Sequence, residues 1–348
     1  MKVLVLGDTH IWNASQLGGP MEGGLNRRCR DLIRDIRDTV EGAKSNFGVK
    51  AVVQLGDFFD KSNPPPAVMN AAMGLIKESG IPWHILAGNH DIRSFGAPSA
   101  ITPLGKLEGC FVYDEPKIVE IGGVGWAMVP FTARAAKESV NALRDSAATF
   151  ACLHYGCVLP HLASGRPDTI SVLDIPPTLP FCFFGHEHGS RVRRDNATSL
   201  GSFAQFNFGD PLIGYIAAIA DTSLDSLRWG RICSVAGPRF VDLRAVDFGM
   251  CSLHGSFLDT FSTEATNIYC IFKPEDAKLA ERLVEVGIVT DYRIAPLEAP
   301  ASQDPDSLFE TEKTSTVDVD QCVLEELMSK LPEQDIPKAW ELYESIKL

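Results

Sequence analysis

Five short motifs along the chain carry residue types that bind metal ions. Each follows a short apolar run, and four of the five begin with glycine. In chain order they are GDTH (Gly7–His10), GDFFD (Gly56–Asp60), GNHD (Gly88–Asp91), LHYG (Leu153–Gly156) and GHEH (Gly185–His188). Ligands of open α/β sheets bind outside the carboxyl ends of the strands, so residues just past a strand are well placed for chemistry. Glycine lets the backbone turn sharply and approach an ion closely.

The side chains of these motifs are carboxylates, one amide and several imidazoles. A single DxH or HxH motif predicts little, because a lone histidine at a strand end is more often a hydrogen-bonded structural residue. As a set, these oxygen and nitrogen donors suit Mn²⁺, Fe²⁺ or Zn²⁺. A structural zinc site would be rich in thiolates, and none of the motifs contains a cysteine. The set therefore predicts a dinuclear metal site.

Strands and helices alternate along the part of the chain that carries the motifs. Continuous apolar runs precede the motifs and predict strands that are buried on both faces. The runs are Val3–Leu6, Ala51–Leu55, Trp83–Leu86, Thr149–Leu153 and Phe181–Phe184. Helices are predicted over Leu25–Phe47, Pro66–Ser79 and Thr132–Ser146. This alternation predicts an α/β core.

The order DxH, GDxxD, GNHD, H and GHxH resembles that of the calcineurin-like metallophosphoesterase superfamily. Three further stretches are similar to the SbcD-type nuclease subunit of DNA repair and recombination, particularly its compact phage versions. They are the Ser-Asn-Pro-Pro-Pro after GDFFD, the GIPWHILAGNHD after a helix, and the LGSFAQFNFGD shortly after GHEH. The protein-phosphatase branch usually has Arg-Gly after its second motif, where this chain has Lys61 and Ser62. The resemblance covers residues 1–230 well and the rest only in general layout.

In the family pattern two divalent ions share one carboxylate. By this resemblance Asp57 bridges the ions, and each ion takes three further ligands. The ligands of one ion are Asp8, His10 and His188, and those of the other are Asn89, His154 and His186. Two Mn²⁺ ions are the expected cofactors, with Mg²⁺, Fe²⁺ or Zn²⁺ as alternatives.

The resemblance also implies roles beside the metal ions. His90 is expected to contact the scissile phosphate and to help the leaving oxygen depart. Asp60 is expected to orient or polarise the imidazole of His90, although some related nucleases have histidine there. The alternative role for Asp60 is to cap the Ser-Asn-Pro turn. Glu187 and Asp91 are expected behind the ligands or facing solvent, and His84 is expected to be structural.

Two groups of arginines are candidates for contact with DNA phosphates, which need only positioning charges. The first group follows GDTH and the second follows GHEH. They are Arg27, Arg28 and Arg30, and Arg191, Arg193 and Arg194. The alternative is that these are solvated arginines of a helix and a hairpin.

Four segments are predicted. Residues 1–230 are expected to form the metallophosphoesterase (nuclease) domain, a sandwich of two sheets flanked by helices. Residues 231–298, with a strand, helix, strand pattern, are expected to form a small α+β capping domain. Residues 299–318 have the composition of an acidic linker. Residues 319–348 hold two short amphipathic helical stretches, predicted to dock on a partner or on the core.

Charge and cysteine content are compatible with an intracellular phosphoesterase. The net charge of −13 is concentrated at one end, because residues 1–250 carry 24 Lys and Arg against 25 Asp and Glu. The first 250 residues can therefore approach phosphates without strong repulsion. Nine scattered cysteines without a CxxC spacing predict reduced core thiols. No apolar run is long enough to span a bilayer, and the first residues lack a signal-peptide pattern, so a cytoplasmic location without membrane contact is expected.

The expected function is an SbcD-like DNA nuclease, of exonuclease or endonuclease type. Its expected partner by resemblance is an SbcC-type ATPase with a long coiled coil. The alternative is a stand-alone phosphodiesterase or phosphatase acting on a small molecule or a protein. Homodimerisation through Pro66–Ser79, which has small residues and methionines on more than one face, is a further hypothesis. The alternative is that this helix only covers the sheet.

Overall fold

The computed structural model describes residues 1–163, 165–189, 193–210, 215–223, 229–233, 239–244, 267–285, 287 and 289–296. The chain divides into two compact units, residues 1–299 and 300–348, and every described residue belongs to the first. The C-terminal helical stretches and nearly all of the acidic linker lie in the second unit. The predictions for residues 299–348 therefore fall outside the described residues.

The described elements are nineteen strands and four α-helices. The strands are β1 (Lys2–Leu6), β2 (Met21–Glu22), β3 (Leu25–Asn26), β4 (Val49–Gln54), β5 (Trp83–Leu86), β6 (Cys110–Tyr113), β7 (Lys117–Ile121), β8 (Val124–Val129), β9 (Phe150–Leu153), β10 (Gly156–Val158), β11 (Thr169–Ser171), β12 (Phe181–Phe184), β13 (Arg193–Arg194), β14 (Ala197–Ser199), β15 (Tyr215–Asp221), β16 (Trp229–Cys233), β17 (Arg239–Asp242), β18 (Ile268–Phe272) and β19 (Asp291–Ile294). The helices are α1 (Arg27–Phe47), α2 (Pro66–Ser79), α3 (Ala136–Asn141) and α4 (Ala277–Glu285).

Two six-stranded sheets form the body of the protein. The first has the order β16-β15-β1-β4-β5-β6 and the second the order β13-β14-β12-β9-β8-β7. In the first sheet, β1, β4 and β5 lead into motifs and are parallel to one another. In the second sheet, β12 and β9 lead into motifs and are parallel to each other, and β9 is also parallel to β8. Side chains from both sheets, such as Val5 and Phe183, share one buried cluster between them. Helices α1 and α2 cover the outer face of the first sheet, and α3 packs on the second. The predicted α/β sandwich of two sheets flanked by helices is therefore confirmed.

Helix α1 has a sequence-encoded start and end. The side chain of Asn26 accepts a hydrogen bond from the backbone N–H of Cys29 at 2.9 Å, which caps the first turn. Gly48 ends the helix with φ 70°. Because Leu25 and Asn26 belong to β3, the helix begins two residues later than predicted. Helix α2 has the predicted bounds, and one of its faces is buried on the first sheet. Contact of α2 with a second copy stays a prediction.

The helix predicted over Thr132–Ser146 is shorter, because α3 is preceded and followed by turns. The backbone N–H and hydroxyl of Thr132 lie 3.2 and 3.0 Å from the hydroxyl of Tyr155, which holds the preceding segment against the second sheet. After α3 the backbone bonds span three residues, as from Leu143 N to Val140 O. The prediction was therefore wrong at both ends of this helix.

A smaller layer consists of β17, β18, β19 and α4. The three strands are parallel, and α4 packs on them through Ala280 and Leu283. The layer contacts the first part of the chain through Gln205, whose side chain pairs with the backbone of Phe240 at 2.8 and 3.0 Å. Asn267 also donates to Asp31 at 2.9 Å. The strand, helix, strand pattern is present, while the boundary at residues 230 and 231 stays a prediction.

The cysteines of the described residues are core thiols, as the sequence predicts. Six cysteines of the described residues are free and buried. Burial raises the pKa of Cys29 and Cys110 to about 12, so these thiols are protonated and unreactive at neutral pH. Among the described helices, none is long and apolar enough to cross a bilayer.

His84 is buried in the first sheet and is expected to make the protein acid-sensitive. Its ring stacks on Phe111 and Tyr113, and its Nδ1 lies 2.7 Å from the Tyr113 hydroxyl. Burial lowers the pKa of His84 from 6.5 to about 4. Between these values the unfolded chain binds more protons than the folded one, so stability is lost as the pH falls.

We expect this histidine to remove about 2 kcal/mol of unfolding free energy between pH 7 and pH 5. Urea unfolding of the wild type and of His84→Gln at both pH values measures the effect. The pH-dependent loss should be smaller in the variant by that amount. Equal losses in the two proteins would contradict the prediction.

Candidate metal centre

The five motifs converge at one edge of the sandwich. Strands β1, β4 and β5 of the first sheet and β9 and β12 of the second each end at a motif. Backbone bonds tie the first two motifs together, because the N–H groups of Thr9 and His10 both donate to Asp57 O, at 3.1 and 2.9 Å. The carboxyl ends of the parallel strands therefore bring the motif side chains to one place, as the sequence predicts.

Three of the predicted ligands have left-handed backbone conformations. The φ angles are 43° at His10, 49° at Asp57 and 74° at His186. A residue other than glycine is strained in this region, at a cost of about 1–3 kcal/mol each. Such strain persists where the surrounding structure over-determines it, often at functional sites. The backbone thus turns at these residues to aim the side chains.

Two of the motif glycines are required because the ligands themselves lie against them. Gly56 has φ 106°, and a Cβ there would lie 2.2 Å from Nδ1 of His154. A Cβ on Gly88 would lie 2.1 Å from Oδ1 of Asp57. Any larger residue would displace a predicted ligand. The close approach predicted for these glycines is therefore an approach to the ligand side chains.

The first ligand group comprises Asp8, His10 and His188. Their ligand atoms all lie within 4.8 Å of one another. Nε2 of His10 lies 2.9 Å from Nε2 of His188, and the latter lies 3.8 Å from Oδ2 of Asp8. Asp8 is fully buried, and its Oδ2 accepts no hydrogen bond among the described residues. Two imidazole nitrogens and one unsatisfied carboxylate oxygen therefore face a common point.

The second ligand group comprises Asp57, Asn89, His154 and His186. The side-chain oxygen of Asn89 lies 3.0 Å from Nε2 of His154 and 2.9 Å from Nδ1 of His186. Oδ2 of Asp57 lies 3.3 Å from Nε2 of His154 and 3.8 Å from Nε2 of His10. Asp57 therefore stands between the two groups, where the resemblance places the bridging carboxylate.

The second nitrogen of each of these imidazoles has a partner away from the centre. Nδ1 of His154 lies 2.7 Å from the carbonyl oxygen of Leu55, so it carries the hydrogen and leaves Nε2 as the donor to an ion. The other three rings each have a carboxylate. His186 Nε2 with Asp168 and His188 Nδ1 with Asp210 are hydrogen-bonded pairs at 3.1 Å each, whereas His10 Nδ1 lies 3.2 Å from the Asp60 carboxylate without hydrogen-bond geometry. Such partners fix the tautomer of a metal-ligating imidazole and raise its basicity.

The electrostatics of both groups favour cations. Burial alone would lower the pKa of His154, but Asp57 and Asp8 raise it to about 9. His188 likewise has a pKa raised to about 9, against burial, by Asp210, Asp8 and Asp57. The site thus favours positive charge at the points where the nitrogen and oxygen donors converge. This donor set, mixed in oxygen and nitrogen and free of sulfur, fits two divalent ions.

His90 lies beside the ligand groups. Its backbone N–H donates to Oδ1 of Asp57 at 2.9 Å, and its Nδ1 lies 2.7 Å from the carbonyl oxygen of Asp60. A carbonyl oxygen only accepts, so Nδ1 carries the hydrogen in this contact. The Asp60 carboxylate lies 3.8 Å from His90 Nδ1 and 3.2 Å from His10 Nδ1. Asp60 therefore orients His90 through its backbone and contacts His10 through its side chain.

Asp91 organises the backbone behind the ligands. It is fully buried and accepts hydrogen bonds from the N–H groups of Phe58, Phe59 and Gly88, at 3.1, 2.9 and 3.0 Å. Burial and the neighbouring Asp57 raise the pKa of Asp91 to about 7, although these bonds lower it. Glu187, by contrast, pairs with Arg166 near the surface. Asp91 thus links the GDFFD and GNHD motifs.

The first group of arginines proposed to contact DNA has partners within the protein. The guanidinium of Arg28 bonds to the carbonyl oxygen of Phe206 and lies 4.4 Å from the ring centroid of Phe240. Arg27 lies 4.0 Å from Asp291, and Arg30 donates to Leu25 O at 2.9 Å. These contacts give Arg28 a packing role that was not predicted from the sequence, because its side chain joins α1 to the smaller layer.

The second arginine group is only partly described. Arg194 donates to the carbonyl oxygens of Val172 and Ile175, at 3.2 and 2.7 Å. Arg193 belongs to β13, but its side chain is not among the described ones, and Arg191 lies outside the described residues. DNA contact by either arginine group stays a prediction.

Asp168 and Asp210 were not predicted from the sequence as partners of the ligands. Asp210 ends the LGSFAQFNFGD stretch that carries part of the resemblance, so a signal for it was present. It also accepts from the N–H of Phe206 at 2.7 Å. Asp168 lies in the loop before β11 without a recognisable motif, and only the structure brings it to His186.

Removing either carboxylate is expected to weaken one metal site. Asp210→Ala removes the partner of His188, and Asp168→Ala removes that of His186. Loss of such a partner costs roughly 10- to 100-fold in metal affinity. Titration calorimetry with Mn²⁺ should show one weakened site in each variant, while Asp168→Asn, which keeps an acceptor oxygen, should recover part of the loss. Two sites of wild-type affinity in both alanine variants would contradict this expectation.

Comparison with known proteins identifies the family. A family model described as calcineurin-like phosphoesterase matches residues 1–190. The chain is 28% identical over 206 residues to a protein described as DNA double-strand break repair protein Mre11 from Sulfurisphaera tokodaii, covering 55% of this chain and 50% of that protein. It is 34% identical over 94 residues to the protein of the same description from Sulfolobus acidocaldarius, covering 26% and 22%. The chain thus spans about half the length of the first relative.

A solved structure, described as Pseudomonas putida nuclease MPE, is 20% identical, with a TM-score of 0.26 over 45% of this chain and 64% of that one. The family model itself spans more than half of this chain and contains all five motifs. The chain therefore belongs to the calcineurin-like phosphoesterase family.

Proposed function

We propose that this protein is a metal-dependent DNA nuclease that acts in DNA repair or recombination. The observation that carries the proposal is the pair of ligand groups joined by Asp57, with His90 beside them. Two cations held in this way suit in-line displacement at a phosphodiester. The two relatives described as DNA double-strand break repair proteins favour DNA as the substrate over a small phosphodiester.

The residues of the site have different proposed roles in the reaction. The bound ions would polarise the phosphate and promote deprotonation of the attacking water. The first ligand group and Asp57 would hold one ion, and the second group would hold the other. Asn89 supplies a neutral oxygen in the second group, which leaves more positive charge there for a phosphate oxygen.

The proposed role of His90 is to supply the proton to the leaving group. Because Nδ1 is fixed by the carbonyl oxygen of Asp60, Nε2 is the atom that can face substrate. A protonated imidazole would donate from Nε2 to the departing oxygen, and the Asp60 carboxylate lies 3.8 Å from Nδ1 of the same ring. His90 is therefore proposed as the general acid and Asp60 as a residue that positions it.

The proposal includes two Mn²⁺ ions and two kinds of protein partner, an ATPase and a second copy of the chain through α2. The mixed oxygen and nitrogen donors suit Mn²⁺, Fe²⁺ and Zn²⁺, and Mg²⁺ is a further alternative. An SbcC-type ATPase is the proposed partner of residues 319–348, with residues 299–318 as the tether.

Deletion of residues 317–348 should abolish co-purification with the ATPase and leave cleavage by the isolated subunit nearly unchanged. A truncated protein that still binds the ATPase at full affinity would sink this part.

The nuclease proposal is tested by comparing substrates. Plasmid and oligonucleotide DNA, and a panel of chromogenic phosphodiesters, are incubated with the protein and Mn²⁺. We expect DNA cleavage that is lost on chelation and in Asp57→Asn. If the small diesters are cleaved and the DNA is not, the result would instead favour the stand-alone phosphodiesterase.

A further inference from the structure

Three aromatic rings form a column that ends on a predicted metal ligand. The ring centroids of Phe95 and Phe131 lie 6.1 Å apart, and those of Phe131 and His186 lie 5.9 Å apart. The interplanar angle is 26° in both pairs, so the rings are roughly parallel. The ring of Phe95 therefore lies two stacking steps from the second ligand group.

The outer end of this column is exposed to solvent. Phe95 lies in a tight turn closed by a hydrogen bond from Ala97 N to Ser94 O at 3.2 Å, and Gly96 supplies the positive φ of 81° that the turn needs. The turn presents Phe95 with 56% of its surface exposed. Phe131, in contrast, contacts both His186 and the fully buried Tyr155, whose ring centroid lies 5.7 Å from that of Phe131. The inner rings are thus fixed, while the outer ring offers a large apolar surface to a ligand.

Exposed cations stand near both phenylalanines in the sequence. Arg93 precedes Phe95 by two residues, and Arg134 follows Phe131 by three. Both side chains are exposed, and neither forms an ion pair with another described residue. Arg27, Arg28 and Arg194, in contrast, are bonded to the protein itself. An exposed aromatic ring with exposed arginines close to it in the sequence fits a ligand that has both flat rings and phosphates.

We propose that Phe95 stacks on an unpaired base of the DNA strand whose phosphate lies at the metal centre. This inference rests on the proposed nuclease function and specifies the substrate as single-stranded or locally unpaired DNA. Bases inside a duplex have both faces covered by their neighbours, so a duplex would have to open before a base could stack here. Every base has a π face, so the contact would favour an unpaired strand without selecting a sequence.

The test compares two oligonucleotides of equal length, one of thymidines and one of abasic units, under Mn²⁺. For the wild type we expect the KM of the abasic strand to exceed that of the thymidine strand roughly ten-fold, the effect of losing one base–aromatic stack. Phe95→Ala should bring this ratio close to one, and Phe95→Trp should keep it. Phe47→Ala is the matched control, because Phe47 is 46% exposed at the end of α1.

The outcomes separate this inference from the function on which it rests. If the wild type cleaves neither the oligonucleotides nor duplex DNA, the nuclease proposal fails. If it cleaves duplex DNA but neither oligonucleotide, the stacking site is overturned while the nuclease function stands. If the thymidine strand is cleaved but the KM ratio is near one, or is the same in Phe95→Ala as in the wild type, the stacking site is overturned while the nuclease function stands. A reduced ratio in Phe47→Ala as well would also overturn it, since the effect would not be specific to the column.

Discussion

Asp57→Asn is expected to lower cleavage by roughly 10³-fold or more and to reduce the bound metal below two ions per chain. The carboxylate is nearly completely buried, and it is the group that stands between the two ligand groups. Burial would raise the pKa of Asp57, but His154, His90 and His10 hold it well below its ordinary value. Asp57 is thus a fixed negative charge at the point where two cations must be held together.

The substitution is nearly isosteric, which separates charge from shape. The amide oxygen that Asp57→Asn introduces can still accept from the N–H of His90, a bond now made by Oδ1 of Asp57. We therefore expect an unchanged circular dichroism spectrum, with the loss confined to metal content and turnover. Asp38→Asn, on an exposed part of α1, removes one charge without touching the site and serves as the control. Near-normal Mn²⁺-dependent cleavage by Asp57→Asn would refute the two-metal assignment.

The parts of the site that could be predicted are those in which a ligand residue directly follows a predicted strand in the sequence. Short apolar runs bounded by turn residues, such as Phe181–Phe184, favour interior strands, and the polar residues directly after an interior strand lie at the sheet edge. The order of the motifs then indicated the ligand set. The two ligand groups bring together each of the seven predicted ligands, and their coordination of ions stays a prediction.

The parts that could not be predicted depend on contacts between distant segments. Asp168 meets His186 across 18 residues, and Phe95 meets Phe131 across 36, without any local pattern that joins them. Arg28 has the charge and sequence position of a phosphate-binding residue. In the fold, however, its guanidinium bonds to the carbonyl oxygen of Phe206 and lies over the ring of Phe240. A basic residue near an active site therefore has a role that only the folded contacts can decide.

His90→Gln is expected to separate metal binding from chemistry. His90, Asp60 and His10 form a third cluster of potential ligands within 4.8 Å, so His90 as a ligand is the competing assignment. The contact of His90 Nδ1 with the carbonyl oxygen of Asp60 at 2.7 Å fits either assignment, because Nδ1 of the predicted ligand His154 contacts the carbonyl oxygen of Leu55 in the same way. Exposure favours the contact with substrate, because the side chain of His90 is 31% exposed and that of His154 is completely buried.

If His90 acts as the proposed general acid, His90→Gln should retain two ions per chain and lose roughly 10²- to 10⁴-fold in kcat, because no other group would protonate the leaving oxygen. Elemental analysis of the Mn²⁺-loaded variant, together with its steady-state kinetics, measures both quantities. His84→Gln is the matched control, since it makes the same substitution at a histidine outside the site and should keep wild-type kcat. Loss of one ion from His90→Gln would make His90 a ligand. Wild-type kcat with two bound ions would remove it from the mechanism altogether.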